Sequence, residues 1–264
     1  MLTRDLNVMK GKSAALTLPR RFIADLCWLS LRVPLGVVAG TMNIGPLVAM
    51  RRSRAELPPY TAMLAKAMAI VAVELPELRR MYTALPWPRL FEAEDSAATI
   101  IVERWFEGEL AVLPVLVKRP ASQPLEQIAR AIRAGRDDDI ASVRHLNRIV
   151  TVTRLPLPLR RALWLIAYGS GRWRSNHFGT FGISTVGQHG VLITRHLSPI
   201  TTSLALGPID AEGRVTVTID FDHRVYDAAL AARTLVLLEA ALNGPIVEEL
   251  SRFPLTAQAG EAAK

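Results

Sequence analysis

The sequence has one cysteine, Cys27, in 264 residues. A single thiol closes no internal disulfide and offers no zinc-finger spacing; both absences suit a reducing compartment. Lysine is scarce as well: Lys10, Lys12, Lys66, Lys118 and Lys264 are the only ones among 32 basic residues, and the rest are arginine. Aromatic residues make up 6%, so the core has to be built from aliphatic side chains. Glycine (16) and proline (17) are too few for a collagenous or linker-like chain. Long uncharged apolar runs are missing. The stretch 23–40 contains Asp25, Arg32 and Pro34. The stretch 155–168 is short and holds Pro156, Pro158, Arg160 and Arg161. A span needs roughly 20 nearly uncharged residues, so neither is expected to cross a membrane, although the second could lie on one. Met1-Leu2-Thr3-Arg4-Asp5 does not lead into an apolar segment with a small-residue cleavage site, so the expectation is no signal peptide and a cytoplasmic protein.

Acidic residues are absent from one long stretch. Between Ile140 and Ile209 there is no Asp or Glu, yet arginines stand at 144, 148, 154, 160, 161, 172, 174 and 195. The net charge of +8 resides in this zone, the remainder being balanced. Such polarity suits phosphates, an anionic membrane face or an acidic partner, and a solvated face in an arginine-rich protein explains it equally well. Half the residues are hydrophobic, which excludes disorder over the whole chain, and the length fits one large domain or two small ones.

No internal repeat and no central linker break the chain. Residues 1–17 and 255–264 read as tails around one domain, 18–254. Pro58-Pro59 precedes a helix over 60–75 with a wide apolar face (Leu64, Ala65, Met68, Ala69, Val71, Ala72), ended by Leu75-Pro76. Aliphatic runs at 97–102 and 110–117 predict two strands, and 124–133 a short helix before the turn Asp137-Asp138-Asp139. Residues 146–176 look irregular, with Trp164 and Trp173 among arginines; an amphipathic helix at a membrane and a buried helix at a subunit contact both fit. Strands are expected at 181–186 and 203–207. The sharpest signal is Arg214-Val-Thr-Val-Thr-Ile-Asp-Phe-Asp222, whose period-two alternation predicts a strand with one face in the core and the other wet. A helix over 228–242 follows, with Asp227 as N-cap and Gly244-Pro245 closing it. The mix is α+β.

That strand leads into Asp222-His223-Arg224-Val225-Tyr226-Asp227. An imidazole with an ordinary pKa near 6.5 is the natural general base at neutral pH. His223 is bracketed by two carboxylates and an arginine at a strand-to-helix junction. His145, His177, His189 and His196 have no such framing in the sequence. No pair has metal-ligand spacing with a carboxylate or thiol, so no metal is expected.

Here the sequence resembles a known family, the catalytic domain of the dihydrolipoamide acyltransferases of 2-oxoacid dehydrogenase complexes, which shares its fold with chloramphenicol acetyltransferase. His223-x-x-x-Asp227 within Asp-His-Arg-x-x-Asp resembles its signature. Phe181-Gly-Ile-Ser-Thr-Val-Gly187 is similar to its Phe-Thr-Ile-Ser-x-Leu-Gly strand. Leu113-Pro-Val-Leu-Val-Lys118 with Leu125-Glu-Gln-Ile-Ala129 is similar to its Val-Pro-Val-Ile strand and following helix, and Tyr60-Thr-Ala-Met-Leu-Ala-Lys66 to its first long helix. The resemblance runs from about residue 19 to 250.

The resemblance implies a mixed β-sheet flanked by helices. It implies His223 as the base that takes the proton from an attacking thiol or hydroxyl, and Ser184 as hydrogen-bond donor to the oxyanion. Asp227 would be structural, held by Arg20 or Arg21, with Asp222 and Arg224 supporting the site. The active site would lie between subunits of a homotrimer, histidine and serine coming from opposite chains, and trimers could build larger assemblies. Coenzyme A or an acyl-CoA would be substrate. Three features depart from the family. Asp227-Ala228 replaces Asp-Gly, Gly182 replaces a threonine, and no lipoyl domain, subunit-binding domain or Ala/Pro-rich linker is present, so a lipoyl group would have to arrive in trans on another protein. The basic segment 146–176 reads as an insertion, and its part 154–174 as a candidate membrane contact. The alternative to an enzyme is a non-catalytic trimeric scaffold. Nucleic-acid binding has only the charge in its favour and no recognisable module.

Overall fold

The computed structural model describes residues 11–55 and 57–255. In chain order its elements are α1 (Leu18–Ser30), β1 (Leu35–Asn43), α2 (Gly45–Arg52), α3 (Tyr60–Glu74), β2 (Arg80–Thr83), β3 (Arg89–Glu92), β4 (Ala97–Phe106), β5 (Glu109–Lys118), α4 (Leu125–Asp137), α5 (Arg144–Arg154), α6 (Leu157–Gly169), α7 (Gly171–His177), β6 (Phe181–Ile183), β7 (Thr202–Ile209), β8 (Arg214–Asp222), α8 (Ala228–Ala241) and α9 (Val247–Leu250). Six strands form one sheet in the order β1-β8-β7-β6-β4-β5, and β2 and β3 pair separately. The short β6 runs parallel to both neighbours while the other pairs are antiparallel. This is the α+β architecture with a mixed sheet and flanking helices that the sequence implies.

Local chemistry explains the elements. β4 and β5 are joined by Glu107-Gly108 alone, at φ 53° and 81°. A two-residue hairpin loop that follows the strand twist needs positive φ at both central positions. α3 is buried on nearly every side, from Ala62 to Ala72, because it forms the centre of the main core with α4, α8 and one face of the sheet. A second core lies under α1, α5 and α6, where Trp164 packs between Phe22 and Phe178 at ring-centroid distances of 6.3 and 5.5 Å.

Five expectations change. The segment expected to be irregular, 146–176, lies within three regular helices, α5 to α7: Pro156 is the N-cap of α6 and Pro158 lies in its first turn, where no backbone N–H partner is needed. The strand expected over 181–186 ends at Ile183. The polar face of β8 is not wet: Thr218, Asp220 and Asp222 are buried, because residues 193–196 run across them, Thr218 Oγ1 donating to Ile193 O at 2.8 Å. Gly244-Pro245 does not end the last helix. It forms a π-turn, Leu242–Ile246, that continues into α9. Asp227 occupies the N-cap of α8, yet its side chain makes no capping bond.

The resulting helical run Ala228–Leu250 is long and apolar enough to cross a membrane by length and composition, with mean hydropathy 1.4. Ala231, Leu235, Leu238, Leu242, Ile246 and Leu250 bury one side of it in the main core, so it serves as a core helix. Of the two expected tails, residues 11–17 carry no regular element, and Thr17 caps α1 by accepting from Arg20 N at 3.4 Å. Leu255 bridges to Arg54. Residues 1–10 and 256–264 lie outside the described residues.

Candidate active site

The end of β8 places His223. Leu35 of β1 pairs with Asp222, and the His223 N–H donates to Pro34 O at 3.1 Å, which fixes the backbone. Asp222 is fully buried and takes both Arg224 Nε (2.9 Å) and Arg224 Nη2 (2.7 Å). Arg224 also stacks over Tyr82, its Cζ 4.2 Å from the ring centroid. Bidentate pairing of this kind gives geometric specificity as well as energy. The His223 ring lies 5.4 Å from that of Phe221, and its Nδ1 sits 3.2 Å from Asp227 Oδ1. More than half of the imidazole is open to solvent. Asp227 thus stands beside the imidazole. Arg20 lies 3.7 Å from Glu109 and Arg21 donates to Leu16 O, so neither expected arginine holds Asp227 within the chain; α1 starts beside the β4–β5 hairpin, whose Glu109 also accepts from Thr17.

Ser184 lies elsewhere. It follows β6, its N–H donating to Leu204 O at 3.0 Å. Ile183 is in register with Leu204 and, through it, with Ile219. Ser184 is therefore level with Thr218, five residues before His223, or roughly 16 Å along the strands at about 3.3 Å per residue. One chain does not bring the two groups together.

Ser184 lines a cavity of about 270 Å³. Alternation along the strands builds it. Ile100, Ile183 and Leu204 face the main core, whereas Thr99, Ile101, Gly182, Ser184 and Ser203 face the other way. The opposite wall is apolar, from Phe22, Ile149, Trp164 and Phe178, and residues 193–200 close it. Gly182 keeps it open: a Cβ there would come within 3.3 Å of Ser203 Oγ and 3.4 Å of Ile200 Cδ1.

Nothing in the sequence frames His196, but the fold does. His196 lines this cavity, and both its backbone N–H (2.8 Å) and its Nδ1 bond to Asp220 Oδ2. Residue and partner are 9% and 0% exposed. No local signal reveals the pair, because Asp220 stands on the polar face of the alternating strand and becomes a buried carboxylate only through the covering residues 193–196.

Part of the basic zone is structural, while Arg144, Arg148, Arg154, Arg172 and Arg195 are exposed. Arg160 pairs with the buried Asp25 at 2.6 Å, and Arg161 approaches the same carboxylate at 3.6 Å while lying over Trp28. Arg174 is almost fully buried, donating to Tyr82 O and Pro199 O. On α6, what solvent meets is Leu159, Leu163 and Ile166, rather than a continuous row of arginines. Cations do gather at one place. Arg148 lies 2.9 Å from His177 Nε2, and Lys118 donates to Asn176 at 2.8 Å. Burial first, then His177, Arg148 and Lys118, push the His145 pKa down to about 4. Among the described residues no three His, Cys, Asp or Glu side chains group to hold a metal ion.

No family model matches the chain, and no curated protein matches it in sequence. Solved structures do. The probable dihydrolipoamide acetyltransferase of Listeria monocytogenes is 18% identical with a TM-score of 0.60, over 92% of this chain and 96% of that one. The truncated catalytic core of the 2-oxoacid dehydrogenase complex of Thermoplasma acidophilum is 19% identical with a TM-score of 0.64, over 89% and 99%. The cubic core of a pyruvate dehydrogenase complex is 17% identical with a TM-score of 0.61, over 95% and 98%. The fold of this chain is that of these catalytic cores.

Proposed function

We propose, from this acyltransferase-core fold and the placement of His223, that the protein is an acyltransferase. It moves an acyl group from a thioester donor, coenzyme A or a lipoyl group carried on another protein, to a thiol or hydroxyl. The single observation that carries this is the exposed imidazole at the end of β8, its Nδ1 3.2 Å from Asp227 Oδ1, backed by the Asp222–Arg224 pair. With Nδ1 facing a carboxylate, the neutral ring carries its proton there and leaves Nε2 free to take one. Nε2 accepts the proton of the attacking thiol or hydroxyl as it bonds to the thioester carbonyl, Ser184 Oγ donates to the oxyanion of the tetrahedral intermediate, and collapse breaks the C–S bond, the leaving thiolate taking the proton back from Nε2.

Roughly 16 Å of sheet separates the two groups within a chain. The site is therefore assembled between copies, His223 of one facing Ser184 of the next. A closed ring of identical subunits, a homotrimer, provides every copy with the same contact. The cluster of Lys118, Arg148 and His177, the last lining the Ser184 cavity, suits the phosphates of coenzyme A.

The test is complementation. His223→Ala is expected to abolish transfer and leave assembly intact, and Ser184→Ala to slow it by about 10²–10³-fold. Mixing and reassembling the two variants at equal amounts puts both groups into about a quarter of sites at a cyclic interface. Activity of that order should return. Full activity of His223→Ala alone would refute the chemistry, and no recovery on mixing would refute the shared site. Thermal shift with acyl-CoAs of increasing length identifies the donor, because a ligand at about 100 times its Kd stabilises by about 2.7 kcal/mol.

A further inference from the structure

On α6 the charges point inward and the apolar side chains outward. Arg160 is buried against Asp25, and Arg161 approaches the same carboxylate while lying over Trp28. The residues shown to solvent are Pro158, Leu159, Ala162, Leu163, Leu165 and Ile166. At 3.6 residues per turn they cover an arc of about 160° without one polar group. A surface helix in water normally does the reverse. The turn between β2 and β3 continues this surface. Residues 84–90 are all exposed, and Arg89 is the only one of them that is not apolar. Leu85 and Trp87 are 70% and 67% exposed. Leu85 lines one groove with Leu165 and Ile166, and Arg89 and Arg172 line the same groove. Glu92, the carboxylate of that hairpin, is taken by Arg79 and Arg80, which leaves Arg89 and Arg172 without a carboxylate among the described residues.

A contiguous exposed apolar patch marks contact with another molecule. Its position and charge choose the molecule. Trp164 faces the Ser184 cavity, and Leu159 and Ile166 lie about 140–160° around the helix from it, so the patch is turned away from that site. A second copy meeting it through the same patch would bring the arginines of both copies together. We propose that α6 and the β2–β3 turn dock the protein on a bilayer containing anionic phospholipid. Leu159, Leu163, Ile166 and Trp87 enter the boundary between headgroups and acyl chains, and Arg89 and Arg172 meet the lipid phosphates. Tryptophan suits that boundary, with an apolar ring and one polar N–H. The inference goes beyond the acyl-transfer reading and does not depend on it, since its test contains no thioester.

The experiment floats the full chain with vesicles of phosphatidylcholine alone and of phosphatidylcholine and phosphatidylglycerol in equal parts. The protein should rise with the mixed vesicles at low salt and less so as salt is added. That measurement needs no substitution. An arginine near an anionic surface is worth about 5-fold in affinity, so Arg89→Gln/Arg172→Gln should weaken binding by about 25-fold. Leu163→Gln/Ile166→Gln, at two exposed positions, should weaken it by at least about 10-fold and leave its salt dependence in place. Thermal melts check that both variants fold. No flotation with the mixed vesicles, equal flotation with phosphatidylcholine alone, or folded variants that bind like the natural protein would each overturn the proposal. If the mixed vesicles leave the protein behind and Leu163→Gln/Ile166→Gln lowers its mass by light scattering, the patch is a contact between copies instead.

Discussion

Acidification should weaken this protein through His145, and the size of the effect can be worked out. The ring sits on α5, largely buried, facing Lys118, Arg148 and His177, and its Nε2 has no partner among the described residues. Burial, then the neighbouring His177, Arg148 and Lys118, lower its pKa from 6.5 to about 4 in the folded protein. A lowered folded pKa means that the unfolded chain binds more protons between those values, so stability is complete above pH 6.5 and falls as the pH drops toward 4. Every tenfold loss of proton affinity on folding is worth about 1.4 kcal/mol. The loss attributable to this one ring is then about 2 kcal/mol at pH 5 and about 3 kcal/mol at pH 4. Carboxylates elsewhere also titrate in this range, so the assay is a difference: urea unfolding of the natural protein and His145→Leu at pH 7.5, 6 and 5. The leucine variant has no proton to take up at this position. Its stability relative to the natural protein should rise by about 2 kcal/mol between pH 7.5 and pH 5. A difference that stays constant with pH, or moves the other way, would refute the burial argument.

Three substitutions test the packing. Gly135→Ala would put a Cβ 2.1 Å from Val115 Cγ2 where α4 crosses β5, and should cost about 1–3 kcal/mol in urea unfolding, most of it recovered in Gly135→Ala/Val115→Ala. Asp25→Ala strands the buried Arg160 and should cost about 3–5 kcal/mol, whereas Asp25→Leu/Arg160→Met, which removes both charges, should be far milder. Asp222→Asn weakens the two bonds to Arg224 and should cost about 1.5–3 kcal/mol by the same measurement; no change would mean that the pair does not brace the His223 turn.

Elements whose signal lies in their own residues were legible in the sequence. α3 follows from its apolar positions between Pro58-Pro59 and Leu75-Pro76, and β4 and β5 from aliphatic runs around Gly108. β8 follows from alternation, and His223 from its place at that strand's end. What escaped depends on distant contacts. Alternation predicts two faces for β8, but whether the polar face is wet depends on residues 193–196, about 24 positions away in the pairing of His196 with Asp220. Pro156 and Pro158 have the same composition whether they break a helix or begin one; α6 exists because Trp164 and Arg160 find Phe22, Phe178 and Asp25 to pack and pair with. Two arginines of the basic zone are hidden for the same reason. A sequence shows the charge of Arg160 and Arg174, but not that Asp25 and the carbonyls of Tyr82 and Pro199 take them inside.

β8 links the two histidine sites. Asp220 and Asp222 are two residues apart, so both point to the same side of the sheet and both are buried. Two carboxylates about 7 Å apart along one strand repel each other in a low-dielectric interior unless each has its own partner. Asp222 has Arg224, which fixes the turn carrying His223, and Asp220 has His196, which lines the cavity containing Ser184. The partners lead in opposite directions: Arg224 toward Tyr82 at the end of the strand, His196 toward the aromatic wall. Exchanging Asp220 for a residue that cannot bind His196 should therefore disturb the cavity without moving His223, because Asp222 keeps its bidentate hold on Arg224, and the two effects should separate by site rather than spread through the sheet.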